Sequence, residues 1–129
     1  MDALRILRTG QPDQVREFER GRLELYQVGP TLLGRAIYEP GWRWSEHVRP
    51  TAGTELCQVA HVGMVVSGSA AVLMSDGTEV IMSEGDFFAI PEGHDSWVVG
   101  DEQYVSLHLL GADTYAAAAD AAHHDSDSG

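Results

Sequence analysis

The residues most able to carry chemistry in this 129-residue chain are its single cysteine and three of its six histidines. Cys57 and His61 lie four residues apart in a largely apolar stretch, so a strand would place both on one face. His47 precedes them, and His94 directly follows a Pro-Glu-Gly turn signal. Imidazole and thiolate groups bind transition metals, and three histidines with an open position suit Zn(II), Fe(II), Mn(II), Ni(II) or Cu(II). A fold that turns these side chains inward together would hold one such ion.

Short β-strands must position these side chains, because alternating and apolar runs recur between turn signals. The dipeptide Asp76-Gly77 between two such runs is a strong hairpin signal. The predicted strands cover residues 22–28, 31–38, 42–47, 56–66, 69–75, 78–82, 86–90, 96–99 and 103–110. Residues 50–55 predict a loop, and residues 13–20 predict one helical turn. Because no long helix alternates with the strands, the pattern favours an all-β, double-sheet jelly roll over a parallel α/β sheet.

The composition changes near the C-terminus. A chain of this length fits a single domain, which we place at residues 1–112. Residues 114–122 are rich in alanine and follow Asp113, a good N-cap, so they predict a short helix. Residues 123–129 are small, polar and acidic, and predict a disordered tail.

The charge and the termini exclude several classes of partner and location. A net charge of −12 argues against binding to nucleic acid or to anionic membrane surfaces. The chain lacks the apolar run of about 18 residues that a membrane-spanning helix needs, and its first residues do not form a secretory signal. The single Cys57 cannot form an internal disulfide, so we expect a cytoplasmic protein.

The stretch GDFFAIPEGH at residues 85–94 resembles the second motif of the cupin superfamily. That motif runs glycine, five residues, proline, one residue, glycine, two residues, histidine. Gly85, Pro91 and Gly93 match it, and their backbone preferences suit a strand bounded by tight turns. Ser96 occupies the histidine position, and His94 stands two residues earlier. An offset of two residues keeps the same face of a strand, so His94 remains a candidate ligand.

The region upstream resembles the first cupin motif, which runs glycine, five residues, His-x-His, three or four residues, glutamate, six residues, glycine. The sequence fits that motif in two registers. Gly41 and His47 match its opening, whereas counting back from Gly68 puts His61 at the glutamate position and Cys57 at a histidine position. Both registers hold if a longer loop separates the two halves of the motif.

The resemblance covers about residues 34–110, and within it the sequence resembles those of small single-domain bacterial cupins. It implies a double-stranded β-helix, or jelly-roll barrel, with one divalent transition metal and a small-molecule ligand or substrate inside. His47, His61 and His94, with Cys57 as a further candidate, would hold the metal. The candidate substrate pocket consists of Tyr38, Arg35, Ser96 and His108.

The resemblance also implies a homodimer, because cupins commonly pair through sheet edges and an N-terminal strand. In this chain the pairing segment would be residues 4–7 or residues 22–26. Trp42, Trp44 and Trp97 are expected to pack in the core or to anchor the dimer interface rather than to bind substrate.

Three functions fit these features. The first is a metal-dependent enzyme that oxygenates a substrate with Fe(II), or isomerises or eliminates with the metal as Lewis acid. The second is a non-catalytic binding or sensor domain, which the missing motif glutamate and the displaced motif histidine favour. The third is a metal-free structural barrel whose histidines are ordinary polar packing residues. Metal content and metal-dependent turnover distinguish the three.

Overall fold

Two antiparallel β-sheets make up most of the chain in the computed structural model, which describes residues 4–110. The strands within these residues are β1 (Gln14–Phe18), β2 (Gly21–Val28), β3 (Thr31–Tyr38), β4 (His61–Ser67), β5 (Ser69–Met74), β6 (Glu79–Ser83), β7 (Phe87–Ile90), β8 (His94–Val99) and β9 (Tyr104–Leu110). Two short helices, α1 (Trp44–His47) and α2 (Arg49–Ala52), connect β3 to β4. The expected alanine-rich helix and acidic tail lie outside the described residues.

The larger sheet has the order β1-β2-β3-β9-β4-β7, and the smaller sheet has the order β6-β5-β8. Side chains from both sheets meet in a single hydrophobic core, with Leu23 and Val65 from the larger sheet and Ala70 and Val98 from the smaller one. The predicted all-β, double-sheet architecture is therefore confirmed. Neither helix in the described part of the chain is long and apolar enough to cross a membrane.

The prediction of a strand at residues 42–47 is wrong, because the chain turns into helix α1 there. The carbonyl of Arg43 accepts hydrogen bonds from the backbone N–H groups of Glu46 and His47. Trp44 and Val48 are both buried, and their spacing of four residues is that of one helix face. The helical turn therefore buries apolar side chains that a strand would have alternated between two faces.

Helix α2 replaces part of the loop predicted at residues 50–55. Proline is tolerated in a first helical turn, and Pro50 lies there. Gly53 ends the helix in the left-handed conformation, at φ 80°.

Two further strand boundaries differ from the prediction. Residues 14–18 form β1, not a helical turn, because they pair in register with β2 across a tight hairpin. The strand predicted at 56–66 begins only at His61, and Cys57 makes an isolated bridge to His94 instead. In that bridge the N–H of Cys57 donates to the carbonyl of His94 at 2.7 Å, and the N–H of Gly93 donates to the carbonyl of Cys57 at 2.7 Å.

A bulge between β4 and β9 sets the direction of the side chains on β9. Val62 pairs with Leu110 but Gly63 pairs with His108, so the register shifts by one residue. Such bulges bend the strand and change the direction of neighbouring side chains. The close approach requires glycine at position 63, because a Cβ there would collide with the carbonyl oxygen of Leu107.

We predict that Gly63→Ala destabilises the protein by about 1–3 kcal/mol, because the added methyl group must displace backbone atoms of β9. Urea denaturation measures the change. Val80→Ala on β6 serves as control, since Val80 is 54% exposed and its truncation should change the free energy of unfolding by about 0.5 kcal/mol or less. Equal stability of Gly63→Ala and the wild type would contradict the close approach of the two strands.

Candidate metal centre

Three metal-binding side chains converge inside the barrel from separate segments of the chain. His61 is the first residue of β4, His94 is the first residue of β8, and Cys57 is held against β8 by the backbone bridge. One ligand atom from each residue lies within 4.8 Å of the other two. The distance from Cys57 Sγ to His61 Nε2 is 3.7 Å, and all three residues are buried.

A backbone contact orients the His94 ring. Its Nδ1 lies 2.9 Å from the carbonyl oxygen of Pro91. A carbonyl can only accept, so Nδ1 carries the proton and Nε2 keeps its lone pair. Histidines that bind metals commonly use this arrangement, in which a carbonyl holds one nitrogen and the other faces the ion.

A third histidine lies next to the cluster. The ring of His108 packs against that of His61 with their centroids 5.1 Å apart, and the centroid of the His94 ring is 5.3 Å from that of His61. The Nε2 atom of His108 is 3.0 Å from the hydroxyl oxygen of Ser106. Both residues are on β9, where alternate side chains share a face, so the alternation places His108 and Ser106 together on the inner side.

Burial keeps these imidazoles neutral. Desolvation, with the neighbouring His108 and His94, lowers the pKa of His61 to about 2. Desolvation alone lowers the pKa of His108 to about 4, and it also lowers the pKa of His94. Burial raises the pKa of the Cys57 thiol to about 11. At neutral pH the histidines therefore offer lone pairs to a cation, whereas the thiol ionises when a cation compensates the charge.

A cavity of about 30 Å³ adjoins His61 and His94. One water molecule needs about 10–15 Å³, so the cavity has room for two or three groups of that size. Its walls contain polar and apolar side chains, which are Tyr38, Trp42, His61, Ala70, Val72, Met82, Phe88, Ile90, His94, Ser96, Tyr104, Ser106 and His108. The predicted pocket residues Tyr38, Ser96 and His108 are among them.

His47 does not join the metal-binding group. It lies in α1 instead of a strand, and its Nδ1 accepts a hydrogen bond from the backbone N–H of Arg43 at 2.9 Å. Its Nε2 is 3.9 Å from the Glu19 carboxylate. The helical turn therefore directs His47 away from Cys57 and His61, and the three-histidine set expected from the sequence is not the one that converges.

Arg35 does not line the cavity either. It lies on the outer face of β3, where its Nη1 donates to the carboxylate of Glu24 at 3.0 Å. Burial raises the pKa of Glu24, but hydrogen bonds from Tyr26, Arg35 and Arg22 outweigh it and hold that pKa below its ordinary value. The arginine therefore neutralises a buried carboxylate on the opposite side of the sheet from the cavity.

Trp42, expected to pack in the core or to anchor a dimer interface, packs in the hydrophobic core and also contributes to the cavity wall. The strand predicted at residues 42–47 is replaced by the turn into α1, so the alternation in that stretch did not indicate which way the Trp42 ring points. His94 and Ser96 lie two residues apart on β8, and both line the cavity.

Comparison with known proteins supports the fold. No protein-family model and no curated protein matches the sequence. A protein of unknown function from Rhizobium leguminosarum superposes with a TM-score of 0.53 at 22% identity. The match covers 70% of this chain and 80% of the Rhizobium chain. A cupin-like protein from Thermotoga maritima superposes with a TM-score of 0.51 at 15% identity. The match covers 77% of this chain and 74% of the Thermotoga chain.

An oxalate decarboxylase gives a TM-score of 0.55 at 24% identity, covering 80% of this chain and 29% of its own. Matches at this level of identity identify the fold and leave the activity open. The chain has the cupin fold, as its two sequence motifs predict.

We predict that the metal-free protein loses stability as the pH falls below about 6.5. The ordinary pKa of histidine is 6.5, and the folded value for His61 is about 2, so below pH 6.5 the unfolded chain binds a proton that the folded chain does not. The free energy of unfolding then falls by up to about 1.4 kcal/mol per pH unit for each such histidine.

Urea denaturation of chelator-treated protein at pH 7.5 and 5.5 measures this decline. His61→Gln removes one of the titrating groups, so its decline should be about 1 kcal/mol smaller than that of the wild type. Identical declines would show that His61 takes up protons in the folded state.

Proposed function

We propose that this protein is a metal-binding cupin that binds a small molecule at the metal inside the barrel. The observation that carries the proposal is the convergence of Cys57, His61 and His94, three buried ligands from separate segments whose donor atoms lie within 4.8 Å of one another. Buried neutral imidazoles rarely gather without a ligand to bind, because each loses its hydration there.

The donor set fits one divalent transition metal. Two imidazoles and a thiolate suit Zn(II), Fe(II), Ni(II) or Cu(II), whereas Mn(II) prefers carboxylate and water ligands. Three protein ligands beside a cavity leave a coordination position open, which is typical of catalytic zinc sites and not of closed structural ones. A bound ion would supply Lewis acidity or, as Fe(II), a site for oxygen chemistry.

The residues of the cavity would do the remaining work. Phe88, Met82 and Ile90 cover its apolar side and exclude water. His108 and Ser106 form the hydrogen-bonded pair that can hold a proton near the open position. We place the activity among metal-dependent dioxygenase, isomerase or lyase reactions on a small molecule, and the cytoplasm as the compartment that keeps the Cys57 thiol reduced.

A specific observation favours a second candidate, a non-catalytic small-molecule sensor. The residues lining the cavity include no Asp, Glu, Lys or Arg, so no carboxylate is available there as general base. Metal-dependent turnover or oxygen consumption by the loaded protein would eliminate this candidate.

Metal analysis tests the proposal. We predict about one equivalent of transition metal in the untagged full chain with His123 and His124 replaced by alanine, measured by inductively coupled plasma mass spectrometry. His61→Ala and His94→Ala should each lower metal affinity by about 10-fold or more. His47→Ala is the matched control and should retain the metal, because His47 lies outside the group. Failure to load any of the four metals would refute the proposal.

We also propose a homodimer, but at a different surface from the one predicted. Residues 4–7 form no strand, and β2, which contains residues 22–26, is paired on both sides. Exposed large apolar side chains of the larger sheet occur on four strands, and three of them, Phe87, Val62 and Val66, lie on the neighbouring strands β7 and β4. Phe87 is 80% exposed. Such a face on an acidic protein suits a second copy of the same chain.

Light scattering coupled to gel filtration should give the mass of a dimer for the wild type. Phe87→Asp should give the mass of a monomer, because the dimer contact would bury the charge of the new aspartate. Val15→Asp on β1, at the opposite edge of the sheet, should leave the dimer intact. A monomer mass for the wild type would refute the dimer.

A further inference from the structure

The indole of Trp42 carries a buried donor without an acceptor. The side chain is 1% exposed, and its Nε1 forms no hydrogen bond with any of residues 4–110. A tryptophan Nε1–H can only donate. Buried polar groups in folded proteins are almost always paired, and each exception calls for an explanation.

Packing holds this donor in one place. The Trp42 ring stacks on Tyr38 with the centroids 3.8 Å apart and the planes 5° from parallel. Its backbone N–H donates to the Glu39 carbonyl at 3.0 Å, and its carbonyl accepts from the N–H of Val98 at 3.0 Å. The backbone bonds fix the residue between β3 and β8, and turning the indole towards another acceptor would break its stacking on Tyr38.

The surroundings of the donor indicate the charge of what it binds. Trp42 lines the same cavity as His61 and His94. The other polar groups in that lining are imidazoles and hydroxyls, and no carboxylate is present to attract a cation. A cavity with a donor-only indole on one wall and metal-binding histidines on another suits an anion that accepts hydrogen bonds.

The volume limits the size of the ligand. A cavity of about 30 Å³ holds about two or three water-sized groups, one of which would be the ion itself or its bound atom. Ordinary metabolite pockets are about ten times larger. A ligand with a ring or a long chain does not fit in this space.

We propose that Trp42 is the specificity-determining donor for a small oxygen-containing anion of about three heavy atoms, which bridges its indole N–H and the metal position beside His61 and His94. This inference rests on the proposed function, because the metal would bind the other end of the anion. It adds a residue that no metal-binding motif includes, and it limits the ligand to a single chemical class.

Formate is a suitable probe, since it is an oxygen-containing monoanion of three heavy atoms. In the Zn(II)-loaded full chain, formate titrated by calorimetry should bind about 10-fold more weakly to Trp42→Phe than to the wild type, because the phenyl ring keeps the stacking and loses the N–H. Trp44→Phe is the matched control: Trp44 is equally buried but does not line the cavity, so its affinity should be unchanged. Benzoate should not bind because it is too large, and methylammonium should not bind because it is a cation.

A second measurement avoids dependence on the variant's folding. In the wild type, the indole ¹H–¹⁵N signal of Trp42 should move downfield when formate saturates the site, and those of Trp44 and Trp97 should not. Metal content measured on the same samples separates the two proposals.

Full metal loading with equal formate affinity in Trp42→Phe, or an unmoved Trp42 signal, overturns this inference and leaves the metal site standing. If no metal binds, the proposed function fails. The inference then fails with it, because the anion would have no metal to bridge to.

Discussion

The candidate site depends on two backbone hydrogen bonds that tie residue 57 to residues 93 and 94. Both are 2.7 Å long, and they hold an irregular segment against the first residue of β8. Without them, Cys57 would belong to a loop after α2, and its thiol would have no fixed position relative to His94. Because the bonds involve the backbone, they set the distance between the two ligands whatever side chains occupy these positions.

Burial is the second constraint, and it decides the protonation state of the site. The imidazoles of His61, His94 and His108 pack against one another inside the barrel, where a charged imidazolium would lose its hydration and face like charges. They therefore stay neutral, which is the state that binds a metal. The same burial holds the Cys57 thiol protonated, so binding a cation must release its proton.

The distribution of charge separates the surface from the interior. The chain has a net charge of −12, yet no acidic side chain lines the cavity. Two carboxylates are buried among the described residues. Glu24 lies on the outer face of the larger sheet and is neutralised there by Arg22 and Arg35. Asp95, next to His94 on β8, is paired with Arg43. An acidic protein can therefore offer a small anion an interior of donors and metal ligands, screened by the barrel wall from the surface charge.

The sequence by itself determined the fold class and identified candidate ligands, among them Cys57, His61 and His94. Turn signals and alternating runs located eight of the nine strands in the described residues, because strand pattern and turn chemistry are local properties. The motif containing Gly85, Pro91 and Gly93 led to His94 for the same reason: a two-residue offset keeps a side chain on one face of a strand.

Only the tertiary structure decided which side chains meet. Residues 42–47 contain an alternation that a strand could use, but burial of Trp44 and Val48 favours a helix, which turns His47 away. The bulge between β4 and β9 and the isolated bridge at Cys57 are pairings between residues distant in sequence, so no local pattern encodes them. They place His108 beside His61 and Cys57 beside His94, since register between strands is set by the packing of the whole barrel.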